Sequence, residues 1–148
     1  MNKTDYALDK ARDLLEKESW TFVAIKNVGG TVYTSKERGV APALLLYEEN
    51  VSLVGFVIAD KVVGKAAALM YVLHQVRAVH AQVISEPALM YLRDHDIVTT
   101  YDKLVGNIEN RSQDGLCPLE QATLCVVNPV AGLICIKETL RELTRRTS

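Results

Sequence analysis

The chain has few of the residues that bind metals or form disulfides, with three cysteines and three histidines among 148 residues. Seven and nine residues separate successive cysteines, and no histidine lies three or four positions from any of them. Neither spacing matches a common zinc site. We therefore predict no bound metal and no cofactor, and free thiols rather than a disulfide framework.

Long apolar runs and an excess of one charge are also missing. The longest apolar runs, such as residues 66–73, are far shorter than the ~20 residues that span a bilayer. The 17 basic residues nearly balance the 18 acidic ones, and the N-terminus has no apolar signal-peptide core. We expect one cytoplasmic domain over residues 1–148 that binds neither nucleic acid nor a membrane.

The pattern of apolar residues predicts a helix, a hairpin and then three helix–strand pairs. After these come a polar loop, of a length that is often functional, and two further helices, which start near Cys117 and after Asn128-Pro129. The predicted helices cover residues 4–18, 39–49, 64–75 and 85–95; the predicted strands cover 20–26, 31–35, 53–59, 78–84 and 97–101; a turn lies at 27–30 and the polar loop at 102–116.

Helices that alternate with strands indicate parallel strands joined by crossovers. We therefore predict an α/β fold, a three-layer α/β/α sandwich with a five-stranded mixed sheet. The N-terminal hairpin should form one edge of the sheet, because its two strands are joined by a short turn. The continuous apolar run at 53–59 should form the central strand, covered on both faces.

The strand-to-helix junctions are the places where ligands bind in open α/β sheets. The junction after the central strand holds Asp60, Lys61, Gly64 and Lys65. Gly64 allows close approach of a ligand, and the unpaired amides of the following turn together with the lysines would hold a phosphate or carboxylate. An equally weighted interpretation is that Asp60 caps the helix and both lysines are solvated.

Two other junctions supply further candidate ligand-binding residues. Arg38 offers a planar guanidinium to an anion, and Ser85 and Glu86 begin the helix that follows the next strand. Taken alone, each residue has a stronger structural interpretation. Arg38 would be a surface arginine, Ser85 an N-cap and Glu86 a favourable charge in the first turn of the helix. Their place at neighbouring junctions nevertheless predicts one shared mouth.

Cys117 is a candidate nucleophile because the start of a helix lowers the pKa of a thiol. No histidine is evidently placed as its base, since His74, His80 and His95 belong to other elements. A structural role for Cys117, with Glu120 in the first turn of the same helix, is therefore favoured. Cys125 and Cys135 interrupt apolar helical stretches and are expected to fill the core.

Three motifs together resemble those of an uncharacterised bacterial family of unknown function that is placed in the cytidine deaminase-like superfamily. They are Arg38-Gly39-Val40-Ala41-Pro42, Asp60-Lys61-x-x-Gly64-Lys65-Ala66-Ala67 and Cys117-Pro118-x-Glu120. The resemblance runs from about Asp5 to the final helix and implies a deaminase-type sandwich. Zinc deaminases carry metal ligands and a catalytic Glu at two helix starts. Here those positions hold neither, which excludes zinc-dependent deamination.

We therefore expect a non-catalytic, deaminase-like domain that binds a small anionic metabolite or nucleotide at the Gly64-Lys65 helix start. One alternative is a zinc-independent enzyme that uses Lys65 as a Schiff-base amine or Cys117 as a nucleophile. Another is a structural or regulatory homo-oligomer formed through the apolar helix at residues 43–47 and the sheet edges.

Overall fold

The structure is a computed structural model that describes residues 2–27 and 29–147. The predicted turn at 27–30 includes Val28, which lies outside the described residues. The elements, in chain order, are α1 (Lys3–Lys17), β1 (Phe22–Ile25), β2 (Val32–Ser35), α2 (Ala41–Glu48), β3 (Val57–Val63), α3 (Lys65–His74), β4 (Ala78–Ser85), α4 (Glu86–Asp94), β5 (Val98–Val105), α5 (Pro118–Thr123) and α6 (Pro129–Thr147). Within the described residues, no helix is long and apolar enough to cross a membrane.

The five strands form one mixed sheet in the order β2-β1-β3-β4-β5. β1 runs antiparallel to both β2 and β3, whereas β3, β4 and β5 are parallel. The predicted five-stranded mixed sheet with the hairpin at one edge is confirmed. Its order places the carboxyl ends of β3 and β4 side by side, next to the starts of α3 and α4.

Successive residues of the inner strands point to opposite faces of the sheet, as strand geometry requires. Val23 and Val57 pack with Leu8 and Leu15 of α1. Ala24 of β1, by contrast, belongs to the larger cluster that includes the buried residues of α2, α3 and α4. Helices therefore cover both faces of the sheet, and α5 and α6 pack outside α3.

The central strand begins later than the predicted range of 53–59, at Val57. Gly55 has a φ of 75°, and the N–H of Phe56 donates back to the Leu53 carbonyl at 3.0 Å. Because this turn breaks the apolar run, Leu53 packs in the core from a loop. The strand continues instead to Val63, so that Asp60 lies within β3 rather than at the junction after it.

β5 is longer than the predicted strand at 97–101, since residues 102–105 also pair with β4. Lys103 lies opposite Val83, and Val105 lies opposite Ser85. β5 forms the edge of the sheet and most of its side chains are exposed, which allows a polar sequence to continue the strand. The predicted loop at 102–116 therefore loses its first four residues to the sheet.

Gly132 of α6 lies where that helix packs against α3. A Cβ at this position would lie 3.0 Å from both methyl carbons of the buried Leu69. We expect Gly132→Ala to destabilise the fold by about 1–3 kcal/mol through overpacking, despite the better helix propensity of alanine. Urea denaturation would measure the loss. In a Leu69→Ala background the same substitution should stabilise the protein, and equal losses in both backgrounds would contradict this account.

Candidate functional site

The start of α3 is closed by the carboxylate of Glu120, a residue of α5 that is only 1% exposed. Its Oε1 accepts hydrogen bonds from the Lys65 N–H at 2.7 Å and from the Ser85 hydroxyl at 2.9 Å. Its Oε2 accepts a hydrogen bond from the Ile108 N–H. The chain thus supplies its own anion to the helix start at which the sequence predicts a bound one.

Gly64 permits this arrangement because it leaves room for both neighbours. A Cβ on Gly64 would lie 3.2 Å from Cγ1 of Ile108 and 3.4 Å from Oε1 of Glu120. Gly64 itself is extended and offers no side-chain cap to α3. The close approach of a polar group to Gly64, expected from the sequence for a ligand, is made by Glu120.

Lys65 is 5% exposed, and its ammonium group contacts residues of other elements. Nζ donates to the carbonyls of Thr123 at 3.2 Å and Leu124 at 3.0 Å, and it lies 4.9 Å from the centre of the Tyr91 ring. Burial lowers the pKa of Lys65, although the charge of Glu120 opposes the shift. The side chain therefore caps the end of α5, where a cation complements the helix dipole.

The other predicted residues divide between this buried cluster and the protein surface. Ser85 is fully buried and also accepts the Ala88 N–H at 3.3 Å, so it is the N-cap of α4. Glu86 is exposed, and Cys117 is half-buried at the position preceding α5, where its side chain makes no capping hydrogen bond. The structure thus brings Gly64, Lys65 and Ser85 together around Glu120.

Asp60 does not cap α3; its buried carboxyl, 4% exposed, hydrogen-bonds elsewhere. The Tyr71 hydroxyl donates to Oδ2 at 2.5 Å, and the Val62 N–H donates to Oδ1 at 3.2 Å. Burial raises the pKa of Asp60 to about 7, against the opposing effect of these hydrogen bonds. Burial likewise raises the pKa of Tyr71 well above its usual value. Asp60 is therefore a buried group that can gain or lose a proton near neutral pH.

Asp60 faces a cavity of about 910 Å³ between α2, the end of β3 and the segment that follows β5. Apolar side chains form much of its wall, including Val40, Leu44, Leu119 and Leu140. The size and the apolar lining are those of small-molecule sites. Arg38 and Lys61 line this cavity with Asp60, whereas Gly64, Lys65, Ser85 and Glu86 are not among its lining residues.

The charged residues of this cavity differ in whether they have a partner. Arg38, Lys61 and Arg111 make no ion pair or side-chain hydrogen bond with any residue in the described part of the chain. Glu48 pairs with Lys137 at 3.7 Å, whereas Glu37 and Glu109 line the cavity without an ion pair to any described residue. The cavity thus holds three available cations, two exposed carboxylates and an apolar surface.

Residues 106–117 form the outer wall, and the sequence predicted only that this region is a polar loop. Glu109 and Leu116 form an isolated antiparallel bridge, and the Cys117 N–H donates to the Ile108 carbonyl at 2.8 Å. These bonds fold the segment back on itself so that Ile108, Glu109 and Arg111 line the cavity. Ile108 also contacts Glu120 through its N–H, and so joins the cavity to the buried cluster.

No group of three or more His, Cys, Asp or Glu side chains within residues 2–27 and 29–147 is arranged to hold a metal ion. Cys135 donates to the Ala122 carbonyl at 3.4 Å, and Cys125 is exposed rather than packed in the core as expected.

The fold and its cavity define an α/β protein with a five-stranded mixed sheet, covered by helices, and a small-molecule-sized cavity at the end of the central strand. The chain belongs to the family described as "Domain of unknown function (DUF1893)", whose model, TM1506, matches residues 10–140. The crystal structure of the DUF1893 family protein TM1506 from Thermotoga maritima is similar, with a TM-score of 0.80 and 28% identity over 93% of this chain and 90% of that chain. No curated protein matches. The predicted membership of a family of unknown function is confirmed.

Proposed function

We propose that this chain binds a small organic anion in the cavity between α2, the end of β3 and residues 106–117. The observation that carries the proposal is that Arg38, Lys61 and Arg111 line one cavity without partners among the described residues. Guanidinium groups pair with carboxylates and phosphates in two-pronged geometry. The negative group of the ligand would lie between Arg38 and Arg111.

The other residues of the cavity indicate the chemistry of the part of the ligand that carries no negative charge. Leu44, Leu119 and Leu140 offer an apolar surface, which favours a ring or a hydrocarbon segment over a bare inorganic ion. Asp60 would hydrogen-bond a polar atom of that segment, accepting a hydrogen bond when it is ionised and donating one when it is protonated. A nucleotide or a carboxylated metabolite with a ring meets these requirements.

The cavity replaces the helix start as the proposed site because Glu120 already accepts the first amide of α3, the Lys65 N–H. A ligand anion at Gly64 and Lys65 would have to displace a carboxylate that accepts three hydrogen bonds. Binding in the cavity requires no such exchange. Ile108 lies between the two places, so an occupied cavity would still contact the segment that holds Glu120.

The double variant Arg38→Ala/Arg111→Ala tests this proposal. A hydrogen bond to a charged group contributes about 1.5–3 kcal/mol, so each lost arginine should weaken binding about tenfold or more. We expect adenosine monophosphate, or a member of a panel of phosphorylated and carboxylated metabolites, to raise the melting temperature of the wild type. The double variant should bind the same compound at least about a hundredfold more weakly by calorimetry.

Arg93→Ala is the matched control, because Arg93 is an exposed arginine that does not line the cavity. This variant should bind as the wild type does. Both cavity arginines are exposed, so the double variant should keep its fold and its unfolding midpoint. Equal affinity in the double variant, or failure of the whole panel to bind the wild type, would contradict the proposed function.

We also propose that the fold is a deaminase-like sandwich in which this cavity stands where the zinc site would be. The support is the sheet order and the position of the cavity, which is lined by the start of α2 and the end of β3. Neither helix start carries a zinc ligand or the catalytic Glu. On this proposal, the pocket of the deaminase fold is retained, and anion binding replaces metal-assisted hydrolysis.

The enzymatic and oligomeric alternatives stay predictions. The Lys65 ammonium group already donates to two carbonyls, and neither it nor Cys117 lines the cavity. On α2, the side chains of Leu45 and Tyr47 are exposed. Leu45 also lines the cavity, so a copy of the chain packed on this helix would partly cover the proposed site.

A further inference from the structure

A second polar cluster lies at the edge of the sheet, on β4 and β5. His80 of β4, 2% exposed, lies directly opposite Thr100 of β5. His80 Nδ1 is 2.7 Å from the Thr100 hydroxyl oxygen, and Nε2 is 3.4 Å from Oδ1 of Asp102. Asp102 follows Thr100 by two positions on the same strand, so both side chains point to the same face of the sheet.

The donors and acceptors in this cluster determine which nitrogen of His80 carries the proton. The Asp102 carboxylate can only accept, so Nε2 carries the proton and directs it towards Oδ1, although the contact is too poorly aligned to count as a full hydrogen bond. Nδ1 is then unprotonated and accepts the proton of the Thr100 hydroxyl. A hydroxyl, an imidazole base and an orienting carboxylate are therefore arranged in series.

The neighbours of His80 favour the neutral, basic form of its ring. Burial lowers the pKa of His80, and the guanidinium of Arg12 acts in the same direction, whereas Asp102 and Glu16 oppose the shift. Arg12 Nη2 lies 3.8 Å from Oδ1 of Asp102, which brings a positive charge to the same edge of the sheet. Thr100 is exposed and so can be reached from solvent.

We propose that Thr100 is an activated nucleophile that accepts an acyl group from an activated ester or thioester, with His80 as its base and Asp102 as the residue that positions His80. A hydroxyl within hydrogen-bond reach of an oriented imidazole is the general arrangement of nucleophilic catalysis. Thr100 Oγ attacks the acyl carbon while its proton passes to Nδ1 of His80. The bond to the leaving oxygen or sulfur then breaks, the leaving group takes the proton, and Thr100 carries an acyl ester with no change of oxidation state.

The surface near this cluster indicates which donors are favoured. Arg12 also lines a shallow depression of about 450 Å³ on α1, together with the acidic residues Asp9, Asp13 and Glu16. Lys10 and Arg12 offset part of this acidic charge. The small net negative charge favours a neutral or positively charged acyl donor over an acyl phosphate by only a small margin.

The test uses the full chain with p-nitrophenyl acetate, a neutral activated ester. We expect a burst of p-nitrophenolate equivalent to about one acetyl group per chain, with the acetyl group on Thr100 in peptide mass spectrometry. Thr100→Val should abolish the modification, and Asp102→Asn should slow it by about tenfold or more. Thr34→Val, which changes another exposed strand threonine, should leave it unchanged.

Valine is a good strand residue, so Thr100→Val should retain the fold, and the acetyl position in the wild type is informative even without this variant. Acetylation confined to lysine or cysteine side chains would overturn the proposal. Modification of Thr100 at an equal rate in Asp102→Asn would overturn the role of the His80–Asp102 pair. None of these results depends on whether the cavity binds an anion.

Discussion

Replacement of Glu120 by alanine is expected to lower the free energy of unfolding by about 3–5 kcal/mol. The substitution removes the acceptor of the Lys65 N–H, the Ser85 hydroxyl and the Ile108 N–H together. Each buried donor left unpaired costs about 1–3 kcal/mol, and the buried Lys65 ammonium group also loses a nearby negative charge. Chemical denaturation at neutral pH would measure the loss.

Glu138→Ala provides the control, because Glu138 is an exposed acidic residue of α6 and such positions usually change stability by less than about 0.5 kcal/mol. The loss of unfolding free energy in Glu120→Gln should lie between the losses in Glu120→Ala and Glu138→Ala, since the single amide oxygen can accept from only some of the three donors. Acetate or formate should partly restore the stability of Glu120→Ala by supplying a carboxylate. A loss no greater than that of Glu138→Ala would show that Glu120 does not organise the cluster.

The stability of the protein should fall as the pH rises towards 8, through the ionisation of Asp60. Burial raises the pKa of Asp60 from 3.8 to about 7, so the folded state holds this proton more tightly than the unfolded chain does. The stabilisation is therefore fully present below about pH 4 and is lost as the pH rises through 7. A shift of about three units corresponds to about 4 kcal/mol.

The Asp60→Asn variant isolates this effect, because asparagine stays neutral and its oxygen still accepts the Tyr71 hydroxyl. Relative to the wild type, it should be more stable at about pH 8 than at about pH 5 by about 2.5 kcal/mol, since part of the wild-type stabilisation is already lost between pH 4 and pH 5. Titration of the other carboxyls cancels in this difference, and Asp94→Asn, at an exposed site, should show none of it. Parallel curves for the wild type and Asp60→Asn in urea denaturation would contradict the assigned pKa.

Much of the architecture could be predicted from local sequence patterns. The hairpin follows from two β-rich segments and a short turn, and the helix–strand repeats give the parallel part of the sheet. The errors lie where a local signal was weaker than the tertiary context. The turn at Gly55 delays the start of the central strand to Val57, and pairing with β4 extends β5 to Val105.

The site was harder to predict because its contacts join distant parts of the chain. An acidic residue in the first turn of a helix is usually exposed and interacts only with the helix dipole. Glu120 is buried because donors from residues 55, 35 and 12 positions away converge on it. Tyr71 lies in an apolar helix, and nothing in the local sequence indicates that its hydroxyl donates to Asp60. The sequence around Arg111 likewise does not indicate that this loop lines a cavity at the end of β3.

The position of Glu120 has a consequence for the synthesis of the chain on the ribosome. By the time Val105 is made, the nascent chain already contains all five strands of the sheet. It cannot yet pair the buried donors of Lys65 and Ser85, because their acceptor lies fifteen residues further on. The β3–α3 and β4–α4 junctions therefore remain incompletely formed until α5 leaves the exit tunnel, and folding is completed late, from the C-terminal end of the chain.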